Sequence, residues 1–392
     1  MRTTMSRRAT MEYVGAKRRH YLELKTKEAR TAAIDEFRSV TGLCRKYAIK
    51  LLTGNRKYKE HKGRGKSYTP EAEALLIRVW KASGYMTPPY LIAVLQRQLL
   101  ALGELEHIEP KAMEQVLRMS ASTMERILRS HPREAPRRRN RRSGKNLLAA
   151  SVPCVPGEAF PPTAPGDTQV DTVALCGGDM GGNFFWTLTV TDRFTQWTEI
   201  RPVWNRGAAT TKEALADAEK ALPFTLTDMH SDSGLEFINA HVLSYARDRP
   251  CPLTFTRSRP GNKNDNARVE QKNSSVVREY FGHERIDQLE LKRDMDTLAI
   301  KISLYNNLLR PCKRIISKVK KQDAHGFIKR YDKPATPLER VIASGQGNPD
   351  AIRRFIALRD KTNPIKLLED IRRRYALILR KQDAIKKQEF VK

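Results

Sequence analysis

Three carboxylates sit where carboxylates are costly or conspicuous. Asp171 interrupts TQVDTVALC (168–176), a short, β-branched and mostly apolar run with the pattern of a strand buried on both faces. A carboxylate buried in such a strand is unfavourable unless it is paired or binds a metal. Asp232, in HSDSGLEF (230–237), stands just before Gly234, which permits a turn closed to residues with a β-carbon. Glu270 lies in TRSRPGNKNDNARVEQKN (256–273), near the start of a helix that Asp265 or Asn266 would cap. On that helix Glu270, Asn273 and Val277 share one face, so Glu270 is expected to point inward with the apolar side.

The elements that must position these groups are α/β in texture. FFWTLTVT (184–191) alternates like a half-buried strand, and DRFTQ turns the chain into WTEIRPVW, so the first three strands should form an antiparallel meander. TKEALADAEKAL (211–222) is an amphipathic helix, FTLTDMH a fourth strand ending beside Asp232, EFINAHVLSYARD a helix, and PLTFTR (252–257) a fifth strand. The glycines at 177, 178, 181 and 182 lack the spacing and following lysine of a phosphate loop and read as hairpin chemistry. Asp192 reads as a turn aspartate, and His230 as a histidine at a strand end.

Upstream the chain is helical. EARTAAIDEFRSVTGLCRKYAIKLL (28–52) reads as helix, tight turn, helix, and KAMEQVLRMSASTMERILRS (111–130) as a second pair with Ser120 or Ser122 at the cap. If these were DNA-reading pairs, the second helices would present Arg45, Lys46 and Lys50, and Thr123 and Arg126. PREAPRRRNRRSGKN (132–146) carries Arg137, Arg138, Arg139, Arg141 and Arg142 and reads as a flexible basic linker able to follow phosphates. Downstream, CKRIISKVKKQDAHGFIKRYDK is basic and mostly non-helical, and an Arg-rich helix follows at 364–388.

Charge separates these zones. The net charge is +29, but residues 1–150 carry 33 basic and 14 acidic side chains, residues 151–290 carry 14 and 19, and residues 291–392 carry 26 and 11. An acidic block between basic flanks suggests a core that holds metal while its neighbours hold a polyanion. Five scattered cysteines, with no C-x-x-C pair, indicate neither a disulfide framework nor a Cys-rich zinc site. No apolar run approaches the length of a membrane span and no secretory h-region opens the chain, so a soluble, cytoplasmic, nucleoid-associated protein with no membrane partner is expected.

Asp171 on a first strand, HSDSGLEF after a fourth and SRPGNKNDNARVEQKN opening a later helix together resemble the integrase catalytic core of bacterial insertion-sequence transposases, the DDE family with a ribonuclease H-like fold. The resemblance runs through VDTVALCGG and WTLTVTDRFTQWTE to RYDKPATPLERVIAS, roughly residues 165 to 345. Ser233 stands where that family usually has Asn, and 37 residues separate Asp232 from Glu270.

The resemblance implies an α/β, ribonuclease H-like, mixed five-stranded sheet with helices as catalytic core. An all-α helix-turn-helix DNA-binding region would precede it and a small basic C-terminal region would follow. The expected divisions are 1–60 and 68–131 for the helical modules, 132–164 for the linker, 165–290 for the core and 291–392 for a DNA-contacting C-terminal region. Asp171, Asp232 and Glu270 would be the catalytic and metal-binding residues, holding two Mg²⁺ ions (Mn²⁺ substituting) that favour hard oxygen ligands. Arg257, Lys263, Arg268 and Lys272 surround Glu270 as candidate phosphate contacts. The implied activity is DNA transposition, by cleavage and strand transfer on double-stranded element ends and target, by a homo-oligomer on paired ends. A metal-dependent nuclease without joining activity, and a non-catalytic DNA-binding repressor or inactive remnant, remain open alternatives.

Overall fold

The computed structural model describes residues 7–54, 68–131, 152–155, 162–232, 237–259, 265–320 and 327–391, in two compact units, Met1–Tyr68 and Thr69–Lys392. The linker arginines 137–142, Lys263 and Ser233 lie outside the described residues. Among the described residues no helix is long and apolar enough to cross a membrane.

The first unit is built from α1 (Arg7–Glu23), α2 (Lys27–Thr41) and α3 (Arg45–Leu52). Thr26 caps α2 by accepting from the Ala29 amide, and Gly42, at φ 70°, ends it in the left-handed conformation that a β-carbon disfavours. Cys44 then opens α3, which gives the expected helix, tight turn and helix. Val14, Tyr21, Ile34, Phe37, Ala48, Leu51 and Leu52 form the core where the three helices meet.

The second unit starts with α4 (Pro70–Ala82), α5 (Pro88–Gly103), α6 (Pro110–Leu117) and α7 (Ala121–Leu128). Pro88 and Pro89 start α5, because the first turn has no use for their missing amides. Ser120 caps α7 by accepting from Thr123 N at 3.2 Å.

The sheet follows, with β1 (Asp167–Ala174), β2 (Phe185–Asp192), β3 (Thr198–Trp204), α8 (Ala208–Lys220), β4 (Asp228–Ser231), α9 (Ala240–Arg247) and β5 (Thr254–Arg257). Its order is β3-β2-β1-β4-β5; β1, β2 and β3 run antiparallel, while β4 and β5 run parallel to β1. The mixed five-stranded sheet and its opening meander are as expected from the sequence.

Both outer strands are covered, which removes the exposed edges that invite aggregation. Beyond β5, the Arg257 amide donates to Pro153 O and the Val155 amide to Arg257 O, so residues 152–155 of the expected linker run along the sheet edge. Beyond β3, the Thr198 amide donates to Asn307 and the Ile200 amide to Ser303.

The helix carrying Glu270 differs from expectation. It comprises α10 (Ala267–Lys272), a π-helical turn (Asn273–Arg278) and the short α11 (Glu279–Phe281). Neither proposed residue caps it: Asn266 makes no side-chain cap bond, and Asp265 is engaged with Arg259. The chain ends with α12 (Lys292–Leu304), a two-stranded ribbon of β6 (Ile315–Lys320) and β7 (Phe327–Tyr331), α13 (Pro337–Ser344), α14 (Pro349–Lys361) and α15 (Pro364–Val391).

Candidate active site

Strand β1 carries a polar residue at every second position on one face: Asp167, Gln169 and Asp171. Each of the three is tied to the helix or turn lying over it. Asp167 accepts from Arg193 Nη1 at 2.6 Å, and the carbonyl of Arg193 in turn accepts from Arg268 Nη1 on α10. Gln169, 2% exposed, accepts from the amides of Arg268 and Val269 at 3.2 Å each and donates to Asp265 O at 2.9 Å. The first amides of a helix lack intrahelical partners, and here a strand side chain supplies the acceptor that the local cap does not. Asp171 accepts from Asn273 Nδ2 at 2.6 Å and from the Thr172 amide at 2.7 Å. The helix bearing Glu270 is thus tacked down along its length.

Register brings the second aspartate in. Across β1 and β4 the parallel partners are Asp167 with Asp228, Thr168 with Met229, Gln169 with His230, and Val170 with Ser231. One step beyond the last pair stand Asp171, still on β1, and Asp232, just past the end of β4; paired strands are spaced about 4.8 Å apart. Both are half-buried. Glu270 is exposed on α10, not turned to the apolar side as its helical spacing suggested. The expected face assumed an uninterrupted helix, whereas the π turn begins at Asn273 and resets the phase. Among the described residues, no group of three or more His, Cys, Asp or Glu side chains is gathered to hold a metal ion.

The donor chemistry beside Asp171 suits a hard, hydrated cation. Asn273, whose Nδ2 donates to Asp171, keeps a buried Oδ1 without a hydrogen-bond partner. Orphaned polar atoms beside a carboxylate are groups that ordered water or the water shell of an ion can satisfy.

The supporting charges sit in an unusual field. Burial raises the Asp167 carboxyl to about 6 against the opposing pull of Arg193. Burial likewise pushes Asp192 up to about 6, although Thr195 and Gly166 donate to it. Asp192 is fully buried and ties off the β2–β3 turn, the structural role its position suggested. His230 is buried between Thr256 Oγ1 at 2.9 Å and Ser258 Oγ at 3.2 Å, and burial holds its imidazole down to about 4, so it is neutral at physiological pH.

A protein of Sinorhizobium fredii called y4rM, itself uncharacterized, is 32% identical to this chain over 322 residues, covering 78% of this chain and 88% of that protein. The chain belongs to the y4rM family. No family model matches it. Among solved structures, the catalytic core domain of BIV integrase aligns at 12% identity over 46% of the y4rM-family chain and 95% of that domain, with a TM-score of 0.30.

The expected phosphate contacts of this y4rM-family chain separate into distinct classes. Arg45, Lys46 and Lys50 are exposed on α3, with Arg45 paired to Asp35 at 2.9 Å. Arg126 is exposed on α7 and Thr123 half-buried. Arg257 is half-buried and spends Nε on Val152 O. Arg268 is half-buried and turned to Arg193.

Lys272 corrects the expectation outright: it is 8% exposed, its amine lowered by burial and by Arg340 and Arg310, so it is an interior residue and not a surface phosphate contact. Lys272 follows the buried Val269 by three positions and so shares its inward face. Sequence reasoning gave no role to Gln169, and noted Asn273 only as a neighbour of Glu270 on its helix face. The signal for Gln169 was present, in the alternation of Asp167, Gln169 and Asp171 along one strand face.

Proposed function

We propose that this chain is a DNA transposase: a polynucleotidyl transferase that cuts element ends and joins them to target DNA. The single observation that carries the reading is the β1–β4 register, which sets Asp171 beside Asp232 under the helix that bears Glu270. The sheet order β3-β2-β1-β4-β5 supports it, being the order of a ribonuclease H-like core.

In this reading Asp171 and Asp232 would hold Mg²⁺ at the strand ends, with Glu270 contributing from α10. Two such ions, when bound, supply Lewis-acid activation of the attacking oxygen and stabilisation of the leaving one. The chain's own residues fix the geometry. Asn273 and the Thr172 amide orient the two oxygens of the Asp171 carboxylate, and Gln169 fixes the start of α10. Water as nucleophile gives cleavage; a freed 3′-hydroxyl gives strand transfer at the same site.

The test uses duplex DNA carrying the sequences that flank the coding region, with Mg²⁺ and a supplied target. Asp171→Asn, Asp232→Asn and Glu270→Gln should each bind the DNA within about twofold of wild type. Each should lose cleavage and joining by roughly a thousandfold or more. Full activity in Glu270→Gln removes that residue from the mechanism. A wild type that cuts and never joins is a nuclease, and one that binds and never cuts with any divalent metal is a repressor.

A further inference from the structure

The ribbon β6–β7 leaves five large apolar side chains uncovered within a short stretch of chain. Ile316 is 59% exposed, Phe327 60%, Val319 53%, Ile328 52% and Tyr331 49%. An isolated two-stranded ribbon is at best marginally stable in water, so one that presents its apolar residues outward needs a surface to lie against. Its charge identifies that surface. Residues 313–333 contain eight Lys and Arg and two Asp, and one of those aspartates, Asp332, is taken by Arg314 and Arg340. Lys329 and Arg330, adjacent on β7, are both exposed, a concentration of positive charge that a polyanion would relieve. A second copy of the ribbon would bring the same positive charge and is disfavoured.

The root of the ribbon is stiff and tied to the candidate site. Arg340, 7% exposed, bonds to Asp332, to the carbonyls of Cys312 and Ala335, and to Thr195 O. Arg314 Nη1 donates to Phe194 O. These are carbonyls of the β2–β3 turn, in which the neighbouring Arg193 carbonyl accepts from Arg268 on the helix of Glu270.

We propose that β6–β7 is an arm that lies in the major groove of duplex DNA, with Lys329 and Arg330 against phosphates and Phe327 and Ile328 against the groove wall. The major groove of B-DNA, about 12 Å wide, admits a two-stranded ribbon, whereas the deep, narrow groove of duplex RNA does not. The inference rests on the transposase reading for its partner and adds where the duplex is held.

The experiment titrates the full-length chain with a 30-base-pair duplex of fixed sequence across a range of salt. Lys329→Ala/Arg330→Ala should weaken binding about tenfold at moderate salt and reduce the slope of log affinity against log salt by about 2. Phe327→Ser/Ile328→Ser should weaken binding at every salt concentration with the slope unchanged. Tryptophan emission and sedimentation of each variant check that the fold and mass are intact. Unchanged affinity and slope in both variants overturns the arm, as does equal affinity of wild type for duplex RNA, or a variant whose only change is loss of self-association. If wild type cuts and joins DNA while the ribbon variants bind normally, the arm fails and the transposase stands. If DNA binding depends on the ribbon and wild type never cuts, the transposase fails and the arm stands.

Discussion

The face of β1 under α10 and the ribbon β6–β7 use polar and charged residues in opposite ways. On the sheet, Asp167, Gln169 and Asp171 are each bonded to a named partner, and the neighbouring His230 is buried between two hydroxyls. On the ribbon, Lys329 and Arg330 sit in solvent beside Phe327 and Ile328, while the root is fastened by Arg314 and Arg340. A buried polar group is tolerated only when its partners are fixed, so the sheet face is a region of set geometry. An exposed basic and apolar ribbon instead depends on something outside the chain.

The largest effect that would sharpen this contrast is the loss of chemistry without loss of binding in Asp171→Asn and Asp232→Asn. Ribbon variants should show the reverse, weakened binding with chemistry intact at saturating DNA.

Next comes Gln169→Ala, which strands the Arg268 and Val269 amides beneath α10. A cost of about 3 kcal/mol is expected, since each buried donor left unpaired costs about 1–3 kcal/mol. Tryptophan emission is a suitable readout in urea because Trp80, Trp186, Trp197 and Trp204 all belong to the Thr69–Lys392 unit. A midpoint equal to that of wild type would mean that the start of α10 does not rely on the strand.

A smaller, pH-dependent effect belongs to His230. Its folded pKa of about 4 lies below the ordinary 6.5, so between these values the unfolded chain takes up a proton that the folded one refuses. Stability therefore falls as pH drops from about 6.5 towards 4. At pH 4.5 wild type should have lost about 2 kcal/mol that His230→Gln does not lose, relative to their difference at pH 7.5. Asp167 and Asp192, raised to about 6, act with the opposite sign: the folded chain holds their protons more tightly as pH falls from about 6 towards 3.8. That contribution is common to both proteins and cancels in the difference. Parallel stability curves for the two would show that His230 is not held neutral by its surroundings.

The smallest expected change is in Asn273→Ala, which removes one hydrogen bond to the Asp171 carboxylate. A fall in kcat of about tenfold is expected, with DNA affinity and urea midpoint unchanged. A weakened affinity in place of a reduced kcat would make Asn273 a binding residue.

Much of the sheet region was legible locally. Strand periodicity located β1, β2 and β3, Gly42 marked the turn between α2 and α3, and the type and setting of Asp171 singled it out. The fate of Lys272 was not legible, because a lysine flanked by polar residues reads as exposed until the surface packed against its helix is known. The cap of α10 was misread for a related reason: Asn266 had the right type and position, but the acceptor came from Gln169, about a hundred residues earlier.

By itself, then, the sequence determined the charge zones and most of the local elements, and it made Asp171 conspicuous within its strand, because these depend on neighbours a few residues apart. Only the tertiary structure decided that Asp171 lies beside Asp232, that Glu270 faces solvent and that Lys272 does not. Strand register, helix phase across a π turn and burial are set by packing between segments distant in the chain, where local propensity has no say.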